Sequence, residues 1–125
     1  MNYIACDEGL VFHFFNNYPA GKSMVYQFAV FENDRRTLLI EMHMKLFHAQ
    51  FCEFVKLRFI DVKEYLFYHR NSNDPYCTGQ FNLSKEKDLF RLSFNPVQQE
   101  KLTERQNQAF IFSSSIEGFS FEGDL

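Results

Sequence analysis

The feature that most constrains the fold is a period of two in the apolar residues. Between Arg36 and Leu46, the side chains of Leu38, Ile40, Met42, Met44 and Leu46 fall on one face. Thr37, Glu41, His43 and Lys45 fall on the other, with Leu39 the exception. Successive strand side chains point to opposite sides, so this spacing predicts a half-buried β-strand. Met24 to Glu32, rich in Val, Tyr and Phe, predicts a second strand, and Asn33-Asp34-Arg35-Arg36 between the two is turn chemistry of hairpin length.

The pattern recurs further along. Val55, Leu57 and Phe59 alternate with Lys56 and Arg58, and after Asp61 the phase slips, with Val62, Leu66 and Tyr68 at even positions. A one-residue slip exchanges the faces of a strand, so a bulge or tight turn is expected around Ile60-Asp61. His69 to Pro75 reads as a loop, Gly79 to Leu83 as a short strand and Ser84 to Asp88 as a polar connection. Leu89 to Phe94 alternates again and stops at Asn95-Pro96. Val97 to Gln108 reads as a short helix or a long loop. Ala109 to Glu122 is a last strand region in which Gly118 marks a candidate bulge. Asp7-Glu8 before Leu10, Val11, Phe14 and Phe15 suits a short helix ended by Asn16-Asn17-Tyr18-Pro19, with a strand as the alternative. The expectation is one mainly β domain over residues 1–125: an antiparallel β-sandwich or rolled sheet with one or two short helices.

Composition enters where the core is concerned. The 125 residues include 17 Phe and 6 Tyr but no Trp, an aromatic content that excludes a disordered chain. Placed on alternating strand faces, the Phe excess reads as the packing of one core. Cys6, Cys52 and Cys77 are odd in number and far apart, which reads as reduced thiols, buried as small apolar side chains in a cytoplasmic setting. Met1 to Leu10 carries no base and places Asp7 and Glu8 where a signal segment would be apolar, and no run approaches the ~20 residues of a membrane span.

Chemistry is sought in vain. The five glycines are scattered, so no phosphate-cradling loop forms, and no nucleophile elbow occurs. Ser113-Ser114-Ser115 has no His nearby in sequence. His43, His48 and Cys52 have a loose metal-ligand spacing, with His69 and Cys77 further on, but tight pairs of ligands do not recur. The carboxylate pairs Asp7/Glu8, Glu32/Asp34 and Glu122/Asp124 sit at ends or turns and read as solvated. Lys56 and Arg58 share a face, yet the net charge of −3 argues against nucleic acid as a direct partner. The reading is therefore a non-enzymatic chain without metal or cofactor, outside the membrane, monomeric or weakly dimeric.

Charge placement points outward. Residues 1–21 and 106–125 contain only acids and together carry −5, while residues 22–105 carry +2. If the two ends lie together, as domain termini often do, Asp7, Glu8, Glu117, Glu122 and Asp124 make an acidic surface for a basic partner. Two segments carry a resemblance: Val55-Lys56-Leu57-Arg58-Phe59-Ile60-Asp61-Val62-Lys63-Glu64-Tyr65-Leu66-Phe67, and Phe110-Ile111-Phe112-Ser113-Ser114-Ser115-Ile116-Glu117-Gly118-Phe119. A strand, Asp-Val, strand block followed by a Ser…Ile-Glu-Gly-aromatic strand resembles small bacterial immunity proteins of polymorphic toxins and contact-dependent growth inhibition systems. The resemblance implies a cytoplasmic inhibitor that binds a cognate toxin domain, often a nuclease, and occludes its active or substrate-binding surface. The alternatives are a small-ligand-binding or hydrolytic β domain with an aromatic pocket, and a structural or assembly subunit.

Overall fold

The computed structural model describes residues 1–18, 22–48, 51–67, 77–95 and 109–121. Its elements run β1 (Asn2–Cys6), α1 (Asp7–Asn17), β2 (Lys22–Glu32), β3 (Leu38–His48), β4 (Phe51–Leu66), β5 (Cys77–Glu86), β6 (Leu89–Asn95) and β7 (Ala109–Phe121). Every strand pairing is antiparallel, in the order β1-β7-β4-β3-β2-β5-β6. Because β6 also pairs with β7, six strands close on themselves and β1 is appended outside the ring. The expected mainly β, rolled-sheet class is thus the observed one.

Turn chemistry sets the hairpins. Asn33 Oδ1 accepts the N–H groups of Arg35 and Thr37 at 2.9 and 3.0 Å, and Arg36 takes φ 59° to reverse the chain between β2 and β3. Glu86 pairs with Leu89 across Lys87-Asp88, with Lys87 at φ 57°. Ser84, Lys85 and Glu86 therefore extend β5, where the sequence reads as a polar connection: alternate side chains of that stretch face solvent, which a strand tolerates.

The inward faces follow the alternation. Ile40, Met42, Met44 and Leu46 of β3 meet Val55, Leu57, Phe59 and Val62 of β4, with Phe81, Leu83, Phe90, Leu92, Phe94, Ile111 and Ile116 from the remaining strands. Side chains fill a ring of this size. The phase slip in β4 is real: Phe59 and Val62 are both buried, and Asp61 between them has φ 59°. The register shift itself falls between Val62 and Glu64, beyond the expected Ile60-Asp61.

Helix α1 spans the expected residues and buries Leu10 and Phe14, while Phe15 on the opposite side is 77% exposed. Leu10 lies on β7, where a Cβ built at Gly118 would stand 2.5 Å from Leu10 Cδ1. Phe14 meets Phe81 of β5 edge-on at 5.4 Å. Gly118 is thus required by close packing of the helix. The irregularity near it lies on the partner strand, between Tyr3 and Ala5.

Strand β1 has no counterpart in the sequence reading. It pairs with Glu117 to Ser120 of β7, whereas β6 pairs with Ala109 to Ser113 on the same side. Between the two ladders, Asp7 Oδ1 accepts the backbone N–H of Ile116 at 2.9 Å and the Ser115 hydroxyl at 2.8 Å. One carboxylate thus satisfies β7 where one neighbouring strand hands over to the next.

The Phe expectation needs correction. Among the described residues, five Phe side chains are buried (Phe14, Phe59, Phe81, Phe90 and Phe94), while Phe12, Phe15, Phe31 and Phe47 are exposed. Aliphatic and Met side chains supply most of the core, and the aromatic excess lies largely outside it. The burial expected of the cysteines fails at Cys6 and Cys52, which are exposed free thiols, while the side chain of Cys77 lies outside the described residues. The candidate helix or loop over Val97 to Gln108 and the loop from His69 to Pro75 lie outside the described residues. No helix among the described residues is long and apolar enough to cross a membrane.

Candidate functional site

Antiparallel register turns the outward faces of β3, β4, β7 and β1 into cross-strand rows. In one row, Gln27, His43, Lys56, Phe119 and Tyr3 lie opposite one another in turn across five strands. In the next, Glu41, Arg58 and Glu117 stand side by side. A third aligns Lys45, Phe54 and Phe121. Residues opposed in this way are close enough to interact directly.

They do interact. Tyr26 lies 6.1 Å from His43 and 5.9 Å from Phe54, and Phe121 lies 5.3 Å from His43 and 5.8 Å from Phe54 (ring centroids). Tyr3 meets Phe119 at 5.7 Å. Lys45 Nζ sits over Phe54 at 5.5 Å and over Phe47 at 5.8 Å, and the Arg58 guanidinium over Phe119 at 5.7 Å. Arg58 Nε donates to Glu41 Oε2 at 3.0 Å, Lys56 Nζ lies 3.4 Å from the same oxygen, and Arg58 also faces Glu117 at 3.7 Å. The result is a continuous aromatic and charged lattice over the outside of the barrel.

The lattice partly desolvates its members. The Lys56 side chain is only 15% exposed. Burial, and then the nearby Lys56 ammonium, push the His43 imidazole below its usual range, against a weaker opposite pull from Glu41, so His43 is neutral at pH 7. Hydrogen bonding to Cys6 and burial lift the Tyr3 hydroxyl to about 12, so it stays protonated.

The candidate acidic residues are brought partly together. Cys6 pairs with Glu117, so Asp7, Glu8 and Glu117 share one edge of the molecule. Their charges are engaged. Asp7 holds the β7 backbone as described. Glu8 accepts from Lys85 Nζ at 2.8 Å, which holds its carboxyl below the ordinary range and raises Lys85 in turn. Glu117 faces Arg58. The described part of the acidic surface is therefore interleaved with bases from the middle of the chain. Glu122 and Asp124 lie outside the described residues.

Other candidates resolve into structure. His43 and His48 are five residues apart on β3, roughly 16 Å along a strand, and His43 stands opposite Lys56. Cys52 pairs with Phe47. Among the described residues, no three His, Cys, Asp or Glu side chains are grouped to hold a metal ion. His69 lies outside the described residues. The three serines are hydrogen-bonding braces: Ser113 donates to the Ser115 carbonyl, Ser114 to Asp61 and Ser115 to Asp7.

The sequence does not reveal the aromatic lattice, because alternation alone assigns a Phe to a face and does not say which face is the inner one. The interleaving of Lys45, Lys56 and Arg58 with Phe54, Phe119 and Phe121 was the available signal. In comparisons with known proteins, the chain matches no family model, and no curated protein or solved structure matches it.

Proposed function

We propose that the chain is a protein-binding domain of the immunity type, which neutralises a cognate toxin domain by covering its active or substrate-binding surface. The observation that carries this reading is the lattice on the outside of the barrel. Aromatic side chains and Arg dominate the centres of protein interfaces, and charged side chains form their rims. Tyr3, Tyr26, Phe47, Phe54, Phe119 and Phe121 supply anchors, while Glu41, Lys56, Arg58 and Glu117 surround them. The resemblance of the β4 and β7 segments to immunity proteins supplies the kind of partner. Acids at the β1–β7 edge complement a basic substrate-binding surface such as that of a nuclease.

Co-expression with the toxin domain encoded beside this chain tests the reading. A stable complex and survival of the host cell are expected. Absence of both overturns it. Tyr3→Ala and Phe47→Ala, both at exposed positions, are expected to weaken the complex at least tenfold without lowering stability. Reversing Glu8, Glu117, Glu122 and Asp124 to Lys is expected to slow association and flatten its salt dependence. Unchanged rates would reject the acidic edge as the steering surface.

A further inference from the structure

Of the side chains that make up the outer lattice, His43 alone has an ordinary pKa close to neutrality. It is hemmed in on every side. Gln27 of β2 and Lys56 of β4 oppose it across the sheet, about 5 Å away between Cβ atoms. Glu41 and Lys45 flank it along β3, roughly 7 Å away. The rings of Tyr26 and Phe121 stand edge-on to it at 6.1 and 5.3 Å. In the free chain the imidazole is half-buried.

The charges around it disfavour an imidazolium. Lys56 opposes it directly, Lys45 lies two residues on, and Arg58 stands one row away on β4. Glu41 pulls the other way, but its Oε2 is already shared by Arg58 at 3.0 Å and Lys56 at 3.4 Å. From β2, Tyr26 keeps its proton, because burial raises its pKa. From β7 comes the Phe121 ring, while Glu117, the one carboxylate of that strand among the described residues, faces Arg58.

We propose that His43 makes docking of the toxin domain pH-dependent: the complex forms on the neutral imidazole and is released in acid. The inference rests on the reading of the lattice as the toxin-binding surface and adds its regulation. The centre of an interface is stripped of water. A partner seated on the lattice removes the water that still reaches one side of His43, and Lys45, Lys56 and Arg58 stay beside it. Burial disfavours the charged form further, so His43 holds its proton more weakly in the complex than in the free chain. Linkage is reciprocal, so the protonated chain binds the partner more weakly. Affinity is full above the free-chain pKa. It falls as pH drops through that value, by up to about tenfold per pH unit, until the pKa of the complex is reached.

The test combines two measurements on the full chain and the toxin domain encoded beside it. Dissociation constants at pH 5.5 and pH 8 are expected to differ at least tenfold for wild type. In His43→Gln that ratio is expected to be at least fivefold smaller, whatever the affinity of the variant at pH 8. The second measurement is an NMR titration of the His43 Cε1–H resonance, assigned by its loss in His43→Gln. Its midpoint is expected to lie lower in the complex than in the free chain. Far-UV circular dichroism of the free chain is expected to be the same at pH 5.5 and pH 8, and a ratio that arises from unfolding overturns the proposal. So does a midpoint that is unchanged or raised in the complex, an equal ratio in the two chains, or tighter binding in acid. Absence of a complex at pH 8 overturns the reading of the lattice itself, and this inference with it.

Discussion

Replacing Asp7 by Ala is expected to destabilise the fold by about 3 kcal/mol, although the residue lies at the surface end of a helix. Two effects combine. The Ile116 N–H, bonded to Asp7 at 2.9 Å, sits where neither β6 nor β1 supplies an acceptor, and stranding such a donor costs about 2 kcal/mol. Asp7 also has φ 51°, a left-handed conformation that Asp and Asn tolerate and that costs Ala about 1 kcal/mol. The two effects separate in a short series. Asp7→Gly removes the acceptor but relieves the dihedral, so about 2 kcal/mol is expected. Asp7→Asn retains an acceptor and the dihedral preference, so the expected loss is below about 1 kcal/mol. Urea unfolding followed by circular dichroism reads all three, provided the slope against denaturant is unchanged. Ala and Gly variants of equal stability, both within about 0.5 kcal/mol of wild type, would refute the role of Asp7 as the acceptor that joins the two ladders.

Further outcomes can be checked in the same assays. Gly118→Ala is expected to cost about 1–3 kcal/mol, because the new methyl meets Leu10, itself fully buried, and must displace it; combined with Leu10→Ala the two losses should sum to less than their separate values. His43 has a lowered pKa in the folded chain, so its contribution to stability is complete above the unfolded value of about 6.5 and is lost as pH falls through that value and then through the folded one. The drop in unfolding free energy from pH 7.5 to pH 5 should therefore shrink in His43→Gln. Exposed Cys6 and Cys52 should both react with a thiol reagent in the native state, whereas slow labelling of either would contradict its placement.

Much of the fold was legible in the sequence. The inner face of β3, the Asn33 turn, the extent of α1 and the phase slip beside Asp61 follow from residues within a few positions of one another. Less of the candidate site was legible. The acidic residues could be named, but not that Lys85 would reach Glu8 or that Arg58 would lie between Glu41 and Glu117, because those partners are distant in sequence. β1 escaped because its five residues carry no clean alternation and are held as a strand by β7.

By itself, then, the sequence determined most of the strands and which of their side chains share a face, because pleating and turn geometry are local properties of the backbone. Only the tertiary structure decided which strands are neighbours and in what register. Those choices close the ring and line up Lys56 with Phe119 and Arg58 with Glu117. They rest on contacts between residues far apart in the chain, fixed by the joint burial of all the inward faces. The Phe side chains show the division: alternation assigned each one a face, and only the closed barrel determined which face was inside.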